Sequence, residues 1–344
     1  MNHLARLSFQ AFLLGASSLG LAATAMAEPI TVNAQNFSRA ESDLYFSAVV
    51  AARGIGVLGH ERAMTPIDDQ AIIRMNRDTL YSSAVYDLDA GPVTITLPET
   101  NGRFMSMQII DEDQYTHGVQ YEPGEYTLTR EEIGTRYVLV ALRTLVNPED
   151  PADMDAVHKL QDQLKSEQPG GPGVFEIPDW DAESRTKTRA KINALAEDVP
   201  NPTRMFGSKA EVDPIMFLIG SAMGWGGNPD RDALYLNRFP ENNDGKQVYR
   251  LTVKDVPVQA FWSITIYNAD GFIAPNDRNV YTLNNLTAKP AEDGSYHLQF
   301  GGCTDETVNC LPVPENWNWM VRLYRPEAAI LDGSWTFPEL EAVQ

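Results

Sequence analysis

Arg74-Met75-Asn76-Arg77-Asp78-Thr79-Leu80-Tyr81-Ser82 places two guanidiniums, an amide, a carboxylate and a phenol close together. Arg77 and Asp78 can form a bidentate ion pair that braces a chain crossing. The same groups can grip a carboxylate or a sugar. The structural reading is favoured, because such pairs often lock domain cores. A second cluster, Asp111, Asp113, Tyr115 and His117, recurs at every second residue. On one continuous strand these four would share a face. They would then offer a carboxylate and an imidazole for acid–base work, or oxygens for a divalent cation. The run Asp111-Glu112-Asp113 reads more simply as a solvated loop after a strand. After residue 27 the histidines are His60, His117, His158 and His297, too few for a histidine-only metal site, and no metal or other cofactor is assigned.

Both clusters border expected strands, so a sheet could bring them side by side. Any site is therefore expected in the N-terminal half or at its junction with the C-terminal half. Asp111, Asp113, His117 and Tyr81 are the catalytic candidates. Arg74, Asn76, Arg77, Asp78 and Tyr115 are the binding candidates.

Other motif matches dissolve in context. Gly54-Ile55-Gly56-Val57-Leu58-Gly59 fits G-x-G-x-x-G, yet follows an expected helix and lacks a βαβ unit, so it reads as a helix-ending loop. Ser184-Arg185-Thr186-Lys187 fits S-x-x-K but sits in a strongly charged helix without the partner motifs. After residue 27 there is neither a G-x-S-x-G elbow nor an H-E-x-x-H pair.

The elements that must carry these residues follow from periodicity. Ser38-Arg39-Ala40-Glu41 has capping-box spacing and opens a helix to about Arg53. Val93, Ile95 and Leu97 alternate with threonines, a half-buried strand. Phe104 to Ile110 and Tyr137 to Val146 are further strands. Residues 147–240 read as a helical linking segment, with helices from Asp150-Pro151 to about Lys165, from Asp181 to Glu197, and from Asp213-Pro214 through Met223. Gln168 to Gly173 is a loop. Period two returns at Lys246, with strands at Tyr249 to Val253, Phe261 to Tyr267, Tyr296 to Phe300 and Trp319 to Tyr324. Short strands with frequent turns predict a mainly β fold with inserted helices, two antiparallel sandwich or jelly-roll domains at 28–146 and 241–344.

The first 27 residues read as a secretory signal peptide, with apolar Leu7 to Leu21 ending in Ala25-Met26-Ala27. This predicts a periplasmic or secreted protein without a membrane segment in the mature chain. The net charge of −20 becomes −21 once the leader, with its one charge at Arg6, is removed. Phosphate polymers and anionic membrane surfaces would be repelled, which argues against nucleic acid as a partner. Long-range attraction favours a cationic or neutral ligand. Cys303 and Cys310, the two cysteines present, are predicted to pair in the oxidising compartment. Along the strand at Phe261, Trp262 and the isoleucines share one face. Phe261, Ser263, Thr265 and Tyr267 share the other, which could line a groove for a neutral polar ligand such as a glycan. Trp262 and Tyr267 join the binding candidates.

Two longer stretches resemble known families. Arg77-Asp78-Thr79-Leu80-Tyr81-Ser82, Gly91-Pro92-Val93, Gly102-Arg103-Phe104 and Gln108 to Asp111 resemble domain of unknown function 1254. Ala260 to Phe272, Asn316-Trp317, Val321 to Pro326 and Leu331 to Trp335 resemble domain of unknown function 1214. The resemblance implies β-sandwich domains with inserted helices. It implies no reaction and assigns no catalytic residue. The reading is thus of an exported protein that binds a small molecule or glycan in the cell envelope. The alternatives are a hydrolase or lyase using carboxylate, imidazole and phenol, or a structural or interaction protein, of which a homo-oligomer is one form.

Overall fold

A computed structural model describes residues 28–70, 74–196, 199 and 203–344, so the leader read at 1–27 lies outside the described residues. Helix α1 (Phe37–Arg53) starts two residues before the expected point, after Asn36, which makes no side-chain cap bond. The capping box does not form. Glu41 is fully buried and faces Arg185 and Arg189, the former at 3.8 Å. Gly54 ends the helix with φ 92°. The next glycine has a packing reason as well: a Cβ on Gly56 would lie 2.9 Å from Pro172.

Seven strands and a short helix follow: β1 (Gly59–His60), β2 (Thr79–Asp87), β3 (Val93–Leu97), β4 (Met105–Asp111), β5 (Thr116–Gln120), β6 (Gly124–Leu128), α2 (Arg130–Ile133) and β7 (Tyr137–Leu145). The main sheet has the order β1-β2-β7-β4-β5, antiparallel throughout. One face of it, with Ala84, Met107, Val138, Val140 and Leu142, packs on β3. Each of the larger of these side chains, from Val138 to Met107, contributes on the order of 1.5–3 kcal/mol. The opposite face is divided. At one end Val85, Ile110 and Leu139 are covered by Phe46 of α1. At the other end it carries Tyr81, Arg143, Ser106 and Gln108, which face the C-terminal half.

Residues 147–240 hold α3 (Pro151–Gln161), β8 (Lys165–Glu167), α4 (Ala182–Ala196), α5 (Pro214–Gly224) and β9 (Ala233–Arg238). The three expected helices form, and Asp150 and Asp213 cap two of them, each followed by Pro at the first turn. The segment also gives a strand to each side: β8 pairs with β3, and β9 with the C-terminal sheet.

The C-terminal half contains β10 (Tyr249–Val253), β11 (Trp262–Tyr267), β12 (Thr282–Asn284), β13 (Tyr296–Phe300), β14 (Cys310–Leu311), β15 (Asn318–Tyr324), α6 (Ala328–Leu331) and β16 (Glu341–Ala342). Two sheets, β12-β11-β15-β9 and β14-β13-β10-β16, sandwich a core of Leu251, Trp262, Ile264, Phe300, Trp317 and Trp319. The architecture is mainly β with inserted helices, as expected. No helix among the described residues is long and apolar enough to cross a membrane.

Cys303 and Cys310 form a disulfide with a Cα separation of 5.6 Å. Closing so short a loop should stabilise by about 2.5 kcal/mol. The Cys303→Ser/Cys310→Ser double variant should lose about that much in urea unfolding. An unchanged midpoint would show that the loop is rigid without the bond.

Candidate functional site

The two clusters singled out by sequence lie at different places. Tyr81 pairs with Arg143 in the sheet, whereas the β4–β5 pairing sets His117 level with Ala84 and Val85. Three strand spacings and three to four residues separate Tyr81 from His117, roughly 18 Å. They do not share one small-ligand pocket.

Asp111-His117 is a strand end and tight turn, not a continuous strand. Asp111 Oδ1 accepts from the backbone N–H groups of Asp113 and Tyr115, which folds the chain back on itself. Its Oδ2 lies 2.8 Å from His117 Nε2. Asp113 and Glu112 pair with Arg39 of α1. Tyr115 stacks on Phe217 of α5, with ring centroids 4.6 Å apart. These side chains dock helices on the sheet. Among the described residues no group of three or more His, Cys, Asp or Glu is placed to hold a metal ion.

Asp43 belongs to the same contact. It is buried on α1, and its Oδ2 accepts from Trp180 Nε1 at 2.7 Å. Burial pushes its carboxyl up from 3.8 to about 6, against the Trp180 hydrogen bond and with help from Glu112. A raised folded-state value means that protonation stabilises the fold. This contribution is complete below the unfolded-state value near 4 and is lost as pH rises through 6. Asp43→Asn should therefore gain about 3 kcal/mol at pH 7 and almost nothing at pH 3. Equal effects at both pH values in urea unfolding would refute this.

The Arg74–Ser82 cluster lies at the junction of the two halves, where β2, β7 and β4 face β11, β15 and β9. Phe104, Phe261 and Tyr324 close one side, with centroids 4.1–5.6 Å apart. The expected groove face of β11 is here: Ser263, Thr265 and Tyr267 are fully buried against the N-terminal half. Trp262, a binding candidate, is 3 % exposed inside the C-terminal core and open to no ligand.

At the centre the Asn76 amide nitrogen reaches the hydroxyls of Tyr81 at 3.3 Å and Tyr324 at 3.2 Å. Arg143 sits over the Tyr81 ring at 5.5 Å and donates to Gln108 Oε1 and the Gly226 carbonyl. Burial would raise the Tyr81 phenol. The Arg143 guanidinium, hydrogen bonds from Asn76 and Arg143, and the charge of Arg322 outweigh it and hold the phenol below its ordinary value. Tyr324 goes the other way: burial, with Tyr235 and Tyr81 nearby, holds it well above. Asn76 and Tyr81 are half-buried, while Arg143, Arg322 and Tyr324 are buried.

The arginines here share an unusual feature. Arg74 donates to Asn318 Oδ1 and covers Tyr267; Arg77 donates to the Thr65 carbonyl and covers Tyr281. Arg322 donates to Thr265, Tyr267 and the carbonyls of Arg74 and Met75. Arg325 lies over Tyr121 at 4.5 Å. Among the described residues, no carboxylate stands within ion-pair distance of Arg74, Arg77, Arg143, Arg322 or Arg325. Burial pulls the Arg74 and Arg77 guanidiniums below their ordinary value.

The expected Arg77–Asp78 pair is therefore absent. Asp78 is fully buried, and its Oδ1 accepts from Asn284 Nδ2 and Thr282 Oγ1. Its Oδ2, like Ser263 Oγ, is buried and has no partner among the described residues. Sequence reasoning missed Arg143, Arg322 and Tyr324 as site residues. The available signal was Arg143 on an otherwise apolar face of β7; Arg322 shares its face of β15 with Asn318 and stands out less.

A family model described as "Protein of unknown function (DUF1254)" matches residues 55–168, and one described as "Protein of unknown function (DUF1214)" matches 233–328. The VPA0106 protein from Vibrio parahaemolyticus is 18% identical with a TM-score of 0.71, over 90% of this chain and 98% of that one. An uncharacterised protein from Burkholderia cenocepacia is 13% identical with a TM-score of 0.51, over 90% of this chain and 87% of that one. These likenesses are of fold. No curated protein matches the chain.

Proposed function

Because the chain belongs to the paired DUF1254 and DUF1214 families, which bring no reaction with them, we propose from its own geometry that it binds a small anionic molecule at the domain junction. The observation that carries this is the set of five arginines without an ion-pair partner in a protein of net charge −20. A buried cation costs free energy unless an anion offsets it, and a planar guanidinium matches a carboxylate. The acidic surface repels polyanions, so a small acid, including an acidic sugar, suits the junction better than a polymer. This departs from the cationic or neutral ligand that net charge favours, because the local charge at the junction has the opposite sign. The disulfide suits the oxidising cell envelope as the place of action.

Thermal unfolding in a panel of small carboxylates, acidic sugars, phosphate and sulfate, at constant ionic strength, tests the reading. One of them should stabilise by about 2.7 kcal/mol at a hundredfold excess over its Kd. A panel in which every anion matches chloride would sink it.

A second reading, of a lyase or hydrolase, is favoured by the opposite shifts of Tyr81 and Tyr324. Two groups held apart in this way suit a base and an acid. Tyr81 would take a proton beside the arginine-held carboxylate and Tyr324 would return one. In an ultraviolet titration, one phenol should ionise below the ordinary value near 10, and Tyr81→Phe should remove that step. A first ionisation that survives Tyr81→Phe would remove the support for this reading.

A further inference from the structure

The geometry points to a second binding site, for a neutral glycan, in a groove at the edge of the C-terminal sandwich. It is independent of the junction and of the reading given to it. The groove lies where edge strands β9 and β16 of the two sheets diverge, bridged by the loop from Phe239 to Gln247. Its volume of about 480 Å³ falls in the range that holds small ligands, whereas the recess near Pro312 offers about 100 Å³.

The floor is rigid. Trp319 packs on Phe300 and Phe337 in the core. The Tyr249 hydroxyl donates to the Asn242 carbonyl at 2.7 Å and accepts from its N–H at 3.0 Å, which pins the bridging loop. Phe239 stands at the rim, 69 % exposed, among the most exposed large apolar side chains described. Glu241 and Glu339 flank it, and Arg238 reaches Glu339 at 3.7 Å with its own Nε buried and unpartnered among the described residues.

This combination suits a sugar. Each hydroxyl both donates and accepts, so carboxylates can take its proton and the guanidinium can feed its oxygen. The flat C–H face of a pyranose covers an exposed ring. Two carboxylates against one guanidinium disfavour an acidic sugar and select a neutral one.

Saturation-transfer NMR with maltotriose, cellotriose, mannotriose and chitotriose tests the site. At least one should bind with a Kd at or below about 1 mM, a common strength for a single small-ligand site. Phe239→Ala and Glu339→Gln should each weaken it about tenfold, a loss of one well-placed contact. Both side chains are exposed, so the variants should fold, which circular dichroism checks. Tyr81→Phe at the junction should leave the affinity unchanged. The proposal is overturned if no trisaccharide binds, if binding ignores Phe239→Ala, or if the groove instead takes an extended peptide.

Discussion

Asp78→Ala should lower stability by about 3 kcal/mol. Asp78 is fully buried, and its charge is among those that support the buried guanidinium of Arg322. Removing it leaves that charge less compensated and strands the Asn284 amide donor, which now holds Oδ1, while the Thr282 hydroxyl keeps the Ile264 carbonyl at 3.0 Å. An orphaned buried donor costs about 1–3 kcal/mol, and the uncompensated charge adds to it. Asp78→Asn keeps an acceptor and should lose less. Urea unfolding measures both. A variant as stable as the parent that no longer binds anions would instead place Asp78 in the binding machinery.

Arg143→Met should abolish anion stabilisation, a loss of at least about a hundredfold in affinity, or 2.7 kcal/mol. Methionine fills most of the volume and removes the guanidinium nearest Tyr81. Gln108 Oε1 and the Gly226 carbonyl lose a donor, so stability should fall by about 1–2 kcal/mol, too little to unfold the protein. The Tyr81 phenol should rise, because burial is then opposed only by Asn76 and Arg322. Ultraviolet titration reads that rise, and calorimetric titration reads the affinity. Unchanged anion affinity in Arg143→Met would move the binding site away from the junction.

Much of the fold was legible in the sequence. Val93–Leu97 alternates cleanly because one face is buried, and it is a strand over those same residues. Asp150-Pro151 and Asp213-Pro214 opened helices because an acid cap followed by proline satisfies and removes orphan N–H groups. In sequence, β2 reads as a motif and not as a strand. Its two faces meet different partners, so apolar Ala84 and Tyr86 alternate with Tyr81 and Ser83 on a face that is polar at one end only. Ser38–Glu41 failed as a cap because Glu41 is drawn into the pair of arginines on α4, a contact nearly 150 residues away in sequence. Asp111–His117 kept period two in sequence but not in space, because Asp111 accepts the N–H groups of its own turn.

The junction was half visible. Arg74, Asn76, Arg77, Asp78, Tyr81 and Tyr267 do gather there. Arg143, Arg322 and Tyr324 come from strands whose core-facing residues dominate the pattern, and no local spacing links them to Asn76. Local spacing also suggested that Arg77 and Asp78 would pair. Tertiary partners took each away: the Thr65 carbonyl and Tyr281 ring for one, Asn284 and Thr282 for the other.

The claim that the junction holds a small anion can be tested by diffraction from crystals soaked in bromide, using its anomalous signal. The account predicts a bromide between the domains, within about 4 Å of the Arg143 guanidinium and beside the Asn76 amide, a distance at which charge-assisted contacts form. Bromide found only on the outer surface, with none against Arg143, would contradict it.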